Sequence, residues 1–284
     1  MPLAIEPTGA TLGAVVTGVD LATLDDVCWK TIEAAFHEHG VLVFPGQDLS
    51  SDAQIAFGSR FGEIERLSAD RDIVPISNKQ PDGSLAGDDS HQAQILRGNE
   101  GWHTDSSYMP LAAKASVLAA RVVPTEGGQT EWADMRAAYD ALDSATRERI
   151  AGLAAYHSLF HSQAKIGHEV AVGAGYGFFD GDPPLRSLVK VHPVTGRKAL
   201  YIGRHAHGIP GLESDDSESL LDDLMTFACQ PPRTYIHDWQ PGDVVVWDNR
   251  CLLHRARPFD RGEARVMMHT RIQGDPSTES ALPA

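Results

Sequence analysis

The sequence predicts a mainly β protein, a barrel or double-sheet jelly roll with two or three helices packed outside it. Short β-rich runs recur along the second half of the chain with turn signals between them, whereas helical periodicity is confined to a few segments. Many short strands with few helices are typical of closed or two-layered β folds. The 284 residues are 42% hydrophobic, enough for a substantial core. Because neither an internal repeat nor a linker divides the chain, residues 1–284 are predicted to form a single domain.

The first predicted elements lie near the N-terminus. A helix is expected after Asp26, because apolar residues recur there at helical spacing and Gly40 supplies a stop. The apolar run 41–44 ends at Pro-Gly, which indicates a buried strand. Ser51 and Gln54 match a capping box, which predicts that a second helix begins there.

The elements after residue 80 begin with a predicted loop. Residues 81–99 are rich in Gly, Ser, Asp and Gln and show no apolar periodicity, so they are predicted to form a long loop, of the kind that often covers a site. Helices are expected to begin near Asp134 and near Ser217. Strands are expected over 116–123, 187–191, 199–202, 233–237, 244–247 and 265–272.

Composition excludes several classes of partner. The net charge of -15 gives a field that repels phosphate backbones, so no nucleic acid is expected to bind. The apolar runs are much shorter than the roughly 20 residues that cross a bilayer, and no secretory signal is visible, so no membrane is expected either. Three cysteines without a CxxC motif are typical of a reducing compartment, which favours the cytoplasm. A homo-oligomer is compatible with the sequence but is not specified by it.

Two separated motifs offer ligands to a metal. His103 and Asp105 are two residues apart, so in an extended segment both side chains point to the same face. A predicted strand turns at 248–249 and delivers His254 on the next extended segment. Two imidazoles and a carboxylate leave coordination positions open, which suits non-haem Fe(II) and oxygen chemistry. The alternative for His254 is a hydrogen-bonded core histidine, and His37, at the end of the first helix, is expected to be solvated and cationic.

The run 265–272 carries two arginines on one face of a strand. Period-two alternation places Arg265, Met267, His269 and Arg271 on the same side. Two cations that follow a candidate metal ligand need anionic partners. Either they bind anionic ligands or they form surface salt bridges with the abundant carboxylates of this chain.

These segments together resemble a known family. The resemblance covers about residues 5–274, and it is to the family that contains taurine dioxygenase and 2,4-dichlorophenoxyacetate dioxygenase, with the aryloxyalkanoate (phenoxypropionate) dioxygenases as the most similar branch. Besides the motifs above, it rests on 8–14 (TGATLGA), 127–135 (GGQTEWADM), 192–198 (HPVTGRK), 202–207 (IGRHAH) and 247–250 (WDNR).

The resemblance implies one catalytic domain with a double-stranded β-helix, the jelly roll of the clavaminate synthase-like type, and oxidation driven by Fe(II), 2-oxoglutarate and O2. In it, His103, Asp105 and His254 match the iron ligands. Arg265 and Thr130 match the residues that bind the far carboxylate of 2-oxoglutarate.

The residues expected to contact substrate depart in part from the family pattern. Asn99 matches a substrate-contacting asparagine of the taurine branch, and 81–99 is expected to be an active-site loop. That branch has a second arginine four residues after the first, where this chain has His269, so taurine is not the expected substrate. Instead Arg271 is expected to orient the carboxylate of a small anionic substrate, with His205 or His207 near its aromatic end.

An aryloxyalkanoate is the expected substrate, and hydroxylation beside its ether oxygen would lead to a phenol and a keto acid. Three alternatives stay open: hydroxylation of an N-acyl amino acid, cleavage of a sulfonate or sulfate ester, and a non-catalytic metal-binding β-barrel. Arg265 with Thr130 argues against the last, because a structural metal site needs no clamp for a dicarboxylate.

Overall fold

The computed structural model describes residues 2–67 and 71–283, and within them strands predominate. The strands are β1 (Ala4–Pro7), β2 (Ala14–Thr17), β3 (Val41–Phe44), β4 (Val74–Ser77), β5 (Ala113–Val122), β6 (Thr130–Asp134), β7 (Ala154–His157), β8 (Leu185–Ser187), β9 (Val189–Val191), β10 (Lys198–Leu200), β11 (Ala206–His207), β12 (Thr234–His237), β13 (Val244–Asp248), β14 (Leu252–Ala256) and β15 (Val266–Gln273). The helices are α1 (Asp26–His39), α2 (Ser51–Ser59), α3 (His91–Gly98), α4 (Met135–Ala141), α5 (Ser144–Ile150), α6 (Leu159–Ala164), α7 (Ser214–Ala228) and α8 (Pro276–Glu279).

Two sheets face each other and form the jelly roll. The larger sheet has the strand order β1-β2-β3-β13-β5-β15-β4, and the facing sheet has the order β12-β6-β14. The sheets meet through two tryptophans, Trp132 on β6 and Trp247 on β13, whose ring centroids lie 5.8 Å apart. Their packing creates the main core. This arrangement confirms the predicted double-stranded β-helix.

Strand β13 explains why 244–247 is apolar throughout. Val245 and Trp247 belong to the core between the sheets, whereas Val244 and Val246 belong to a second core on the outer side of the larger sheet. Phe36 of α1 is buried in this outer core. A strand that is covered on both faces loses the polar alternation of a half-exposed strand.

The two helices and the strand predicted near the N-terminus are present, but the N-cap of the second helix lies one residue earlier than predicted. Helix α1 begins after Asp25, whose carboxylate accepts a hydrogen bond from Cys28 N at 2.7 Å, and it ends at Gly40 with a left-handed φ of 74°. Helix α2 is capped by Ser50 rather than by Ser51, because it is the Ser50 hydroxyl that accepts from Ala53 N, at 3.1 Å. The predicted strand 187–191 is divided into β8 and β9.

The prediction that 81–99 forms a loop throughout is wrong, because 91–98 is the helix α3. The Ser90 hydroxyl caps α3 by accepting from Ala93 N at 3.2 Å, and Ala93 and Leu96 are buried. Two buried apolar side chains in one short helix do not produce a visible periodicity in a polar stretch, and tertiary packing supplies the rest of its stability. No helix in 2–67 or 71–283 has both the length and the apolar character needed to cross a membrane.

Candidate active site

A short β-bridge brings the metal-ligand candidates together. His103 N donates to His254 O at 2.9 Å, and His254 N donates to His103 O at 2.8 Å. This pairing holds the two imidazole rings side by side, with centroids 4.2 Å apart. Together with Asp105, they place one ligand atom each within 4.8 Å of one another, and all three residues are buried.

The protonation states of this triad suit a divalent cation. Burial lowers the pKa of His103 to about 4, so its ring is neutral at pH 7. His103 Nδ1 lies 2.7 Å from Gly101 O and donates to it in the tautomer that leaves the other ring nitrogen free to bind a metal. Burial alone would raise the pKa of Asp105, but the Arg271 guanidinium beside it holds that pKa well below its usual range. Burial and the neighbouring His103 hold the pKa of His254 well below its usual range, so its ring is neutral as well. Two neutral imidazoles and one carboxylate therefore fit Fe(II).

Side chains outside the triad fix the Asp105 carboxylate. Ser116 donates to Asp105 Oδ2 at 2.6 Å, and Arg271 Nη2 lies 2.9 Å from Asp105 Oδ1. Asn249 in turn donates from Nδ2 to Ser116 Oγ at 2.9 Å and accepts from Trp247 Nε1 at 3.0 Å. The Trp-Asp-Asn-Arg segment thus helps to position Asp105 through Ser116. Sequence reasoning did not single out Ser116, whose contact with Asp105 depends on the pairing of distant strands.

A cavity of about 50 Å³ lies on one side of the triad and is lined by Thr130 and Arg265. Thr130 Oγ1 accepts from Trp239 Nε1 at 3.0 Å, and Arg265 Nε donates to Gly128 O at 3.1 Å. Arg265 is 4% exposed and pairs with no carboxylate in the described part of the chain. Burial and the nearby Arg261 lower its pKa to about 10. An unpaired buried cation at the end of a small cavity is suited to an anionic ligand, which rules out the surface salt bridge considered for it.

A second cavity, of about 280 Å³, adjoins the smaller one at the triad. Asn99, His205 and Arg271 are at its wall. The two cavities share six lining residues: Ile76, Asn99, His103, Asp105, His269 and Arg271. Its wall also contains Tyr176 and three polar residues that sequence reasoning missed, Tyr108, Gln163 and Arg204. The apolar part of the wall is formed by Leu67, Val74, Ile76, Ile95, Leu159 and Phe178.

The two histidines expected near a substrate ring are placed differently. His205 is buried in the wall of the larger cavity, with Nδ1 2.8 Å from Ser162 Oγ. His207 does not contribute to the described wall of either cavity; its ring stacks on His161 at 4.3 Å. A turn at 204–205 precedes β11 and breaks the two-residue repeat that would have placed both rings on one side. The expectation for His207 is therefore corrected.

Another group of ligand-type residues carries no metal site. His37, His192 and Asp248 also place ligand atoms within 4.8 Å of one another. However, the Arg250 guanidinium lies among them, with Nη2 2.6 Å from Asp248 Oδ2 and 3.5 Å from His37 Nδ1. Burial and Arg250 lower the pKa of His37 to about 4. The expected solvated, cationic His37 is thus wrong, because its ring faces a guanidinium rather than water.

Comparison with known proteins gives the same assignment as the site. The family model described as "Taurine catabolism dioxygenase TauD, TfdA family" matches residues 4–271. An (S)-phenoxypropionate/alpha-ketoglutarate-dioxygenase of Sphingobium herbicidovorans is 56% identical over 98% of this chain and 97% of that protein. An alpha-ketoglutarate-dependent 2,4-dichlorophenoxyacetate dioxygenase of Cupriavidus pinatubonensis is 39% identical over 97% and 99%.

Among solved structures, the crystal structure of AAD-2 in complex with Mn(II) and N-oxalylglycine superposes with a TM-score of 0.91, at 38% identity over 100% of both chains. Because these relatives are named as dioxygenases, the non-catalytic metal-binding barrel considered from the sequence is excluded. The cofactor and cosubstrates expected from the sequence, Fe(II), 2-oxoglutarate and O2, are those of this enzyme class. The chain therefore belongs to the TauD/TfdA family and is an α-ketoglutarate-dependent dioxygenase.

Proposed function

We propose that this dioxygenase oxidises a small aryloxyalkanoate and cleaves its ether bond to give a phenol and a keto acid. The observation that carries the proposal is the larger cavity, whose wall combines the Arg271 cation beside the triad with several apolar side chains. A substrate with a carboxylate at one end and an aromatic ring at the other matches this polarity. The relatives named as phenoxypropionate dioxygenases support the same substrate class.

His103, Asp105 and His254 are proposed to hold Fe(II), and the bound metal supplies activation of O2 coupled to the oxidative decarboxylation of 2-oxoglutarate to succinate and CO2. The β-bridge between His103 and His254 fixes the spacing of the imidazoles. Ser116 and Arg271 fix the carboxylate of Asp105. These contacts preorganise the ligands, so little rearrangement accompanies metal binding.

Arg265 and Thr130 are proposed to bind the far carboxylate of 2-oxoglutarate in the smaller cavity. The Arg265 guanidinium has the planar donor geometry that matches a carboxylate. Within the described residues, no protein carboxylate pairs with it, so none competes with a ligand for this cation. The Trp239 indole donates to Thr130 Oγ1, which orients the Thr130 hydroxyl proton away from the indole and toward another acceptor.

In the larger cavity, Arg271 is proposed to orient the substrate carboxylate, with Asn99 and His205 as further contacts. Arg271 Nε is buried and has no hydrogen-bond partner among the described residues, so the guanidinium has one unpaired donor besides the contact with Asp105. Hydroxylation of the carbon that bears the ether oxygen takes one oxygen atom from O2, and the other goes to succinate. The resulting hemiacetal or hemiketal loses the phenol and becomes the keto acid.

The same proposal covers the context in which the enzyme acts. Residues 1–284 are proposed to form one catalytic domain; the proposal is supported by β5 and β13, whose side chains contribute to both cores. The enzyme is proposed to act in the cytoplasm, where three cysteines without a CxxC motif are typical of a reducing compartment. The net charge of -15 disfavours nucleic acid and anionic membranes as partners. The substrate is a small anion, and a homo-oligomer is compatible with this description.

A panel of substrates under anaerobic conditions tests the proposal. Each compound is added to the enzyme with Fe(II) and 2-oxoglutarate, the visible charge-transfer band is recorded, and oxygen uptake and phenol release follow after admission of O2. Aryloxypropionates are expected to shift the band and to release phenol in proportion to succinate. A response confined to N-acyl amino acids, alkyl sulfates or sulfonates would replace the proposed substrate class by one of those alternatives.

A further inference from the structure

Ser106 is a buried residue with an unusual backbone conformation. It follows the metal-ligand candidate Asp105, is fully buried, and has a left-handed φ of 54°, a region that residues with a side chain rarely adopt. Its hydroxyl lies within hydrogen-bond distance of three side chains. Arg271 Nη1 donates to Ser106 Oγ at 3.1 Å, Ser106 Oγ donates to Glu65 Oε2 at 2.9 Å, and the Tyr176 hydroxyl lies 3.0 Å away.

Glu65 is a buried carboxylate on the segment that extends the edge of β15. Its backbone N donates to Arg271 O at 2.9 Å, so Glu65 and Arg271 are held next to each other by the backbone. The Tyr176 hydroxyl donates to Glu65 Oε1, and Ser106 donates to Glu65 Oε2. Both oxygens of the carboxylate are therefore used, one by each hydroxyl. The hydrogen bonds that stabilise the buried Glu65 carboxylate thus come from side chains other than the metal-ligand candidates.

Tyr176 belongs to a glycine-rich segment, 173–181, that covers the larger cavity. Gly173 N donates to Phe178 O at 2.6 Å, which closes the segment into a compact loop. The Arg271 guanidinium lies 5.5 Å from the centre of the Tyr176 ring, and Tyr176 and Phe178 contribute to the cavity wall. The Cβ that a substitution would add at Gly177 would lie 2.4 Å from the Tyr108 ring, so the loop packs closely on the wall beneath it.

We propose that Glu65, Ser106 and Tyr176 are positioning residues that fasten the loop 173–181 over the larger cavity and hold the Arg271 guanidinium in place for its ligand. Arg271 is fixed on three sides, by Asp105, by Ser106 and by the Tyr176 ring. When the loop opens, Tyr176 leaves both Glu65 and the face of Arg271. The cation site is therefore complete only when the loop is closed. The link to substrate rests on the proposed function, whereas loop closure does not.

The test separates closure of the loop from binding of the substrate. Tyr176→Phe removes the hydroxyl but keeps the ring, and Tyr139→Phe, at a tyrosine that lines neither cavity, is the matched control. Amide hydrogen exchange of 173–181 is measured in the full-length, metal-free protein. Loss of the hydroxyl contact is expected to raise exchange in this segment about three- to tenfold, with no change elsewhere or in the control. Exchange equal to that of the control would overturn the proposal.

Steady-state kinetics give a second readout. In Tyr176→Phe, the KM for an aryloxypropionate is expected to rise about three- to tenfold, while the KM for 2-oxoglutarate stays within about twofold, because Tyr176 does not line the smaller cavity. A parallel rise in both KM values would indicate general damage and overturn the positioning role. Glu65→Gln should raise loop exchange as well. The double variant should exceed the larger single effect only slightly, because both changes weaken the same contact, between the Tyr176 hydroxyl and the Glu65 carboxylate.

The proposed function has its own test. The exchange measurement contains no substrate, so it decides loop closure whether or not Arg271 binds a carboxylate. An Arg271→Gln enzyme with an unchanged KM for the aryloxypropionate would overturn the proposed substrate contact alone.

Discussion

Removing the Arg265 guanidinium is expected to weaken 2-oxoglutarate binding without destabilising the ligand-free protein. A residue with a mainly structural role would show the opposite pattern, in which stability is lost and affinity is kept. Arg265 is 4% exposed, donates from Nε to Gly128 O at 3.1 Å, and forms no ion pair in the described chain. It is therefore a buried charge held ready for an anion.

The magnitudes follow from this environment. A hydrogen bond to a charged group contributes about 1.5–3 kcal/mol, so Arg265→Ala should raise the Kd of 2-oxoglutarate about ten- to a hundredfold or more. The pKa of Arg265 falls from 12.5 to about 10 in the folded protein. This depression corresponds to an unfavourable free energy of about 3 kcal/mol for the charged form. Loss of the hydrogen bond to Gly128 costs about 1 kcal/mol in the other direction.

The direction of that pKa shift determines how the contribution of Arg265 to stability changes with pH. Because folding lowers the pKa of this base, the penalty is fully present at pH 7, where both states are protonated, and it disappears only as the pH rises from about 10 toward 12.5. At pH 7 the ligand-free Arg265→Met protein, which keeps most of the side-chain volume, should be as stable as the original or up to about 2 kcal/mol more stable. Addition of 2-oxoglutarate should no longer raise its Tm.

Calorimetric titration of the Mn(II)-loaded protein with 2-oxoglutarate measures the Kd, and thermal unfolding of the ligand-free protein measures stability. Arg265→Lys should restore only part of the affinity, because an ammonium lacks the two parallel donors of a guanidinium. Arg149→Met, at an exposed arginine of α5, is the control for the loss of one positive charge. An unchanged Kd in Arg265→Ala, or a large fall in the Tm of ligand-free Arg265→Met, would refute the reasoning.

Three further perturbations test other parts of the site. His254→Ala should abolish stoichiometric binding of Mn(II) or Co(II), seen by native mass spectrometry, with an unchanged circular dichroism spectrum; a variant that retained the metal would exclude His254 as a ligand. In the original enzyme Zn(II) and Co(II) should bind without turnover. Arg271→Gln should raise the KM for an aryloxypropionate more than the KM for 2-oxoglutarate, both measured at saturating Fe(II); replacing the acid by its methyl ester should cost as much, and the two losses should not add. His37→Gln should reduce the loss of Tm between pH 6.5 and 4, because the His37 pKa of about 4 means that the unfolded chain takes up the proton first as pH falls. Parallel curves for the two proteins would assign that loss to other groups.

The sequence by itself determined the main elements of the fold and the class of chemistry. Helix α1 could be predicted because its apolar spacing and its Gly40 stop are encoded within about fifteen neighbouring residues. The alternation in β15 likewise indicated that Arg265 and Arg271 share a side. His103 and Asp105 were visible as a pair because a two-residue spacing has a direct geometric meaning in an extended chain. Signals of this kind are local, and local physics is enough to decode them.

Short or irregular segments were decided by tertiary structure. Helix α3 has only a few buried residues, so its helicity depends on packing against the rest of the chain rather than on periodicity. His207 turns away from the cavity because the turn at 204–205 interrupts the repeat. In both cases the departure from the prediction comes from a backbone conformation that the neighbouring residues do not impose.

The contacts that shape the active site come from the most distant parts of the sequence. Glu65, Ser106, Tyr176 and Arg271 lie on four separate segments, and Ser106 and Arg271 are 165 positions apart along the chain. None of these residues has a local pattern that points to the other three. A hydrogen bond between distant segments forms only after the sheets have paired and the loops have packed on them, so only the tertiary structure could decide which side chains surround Arg271.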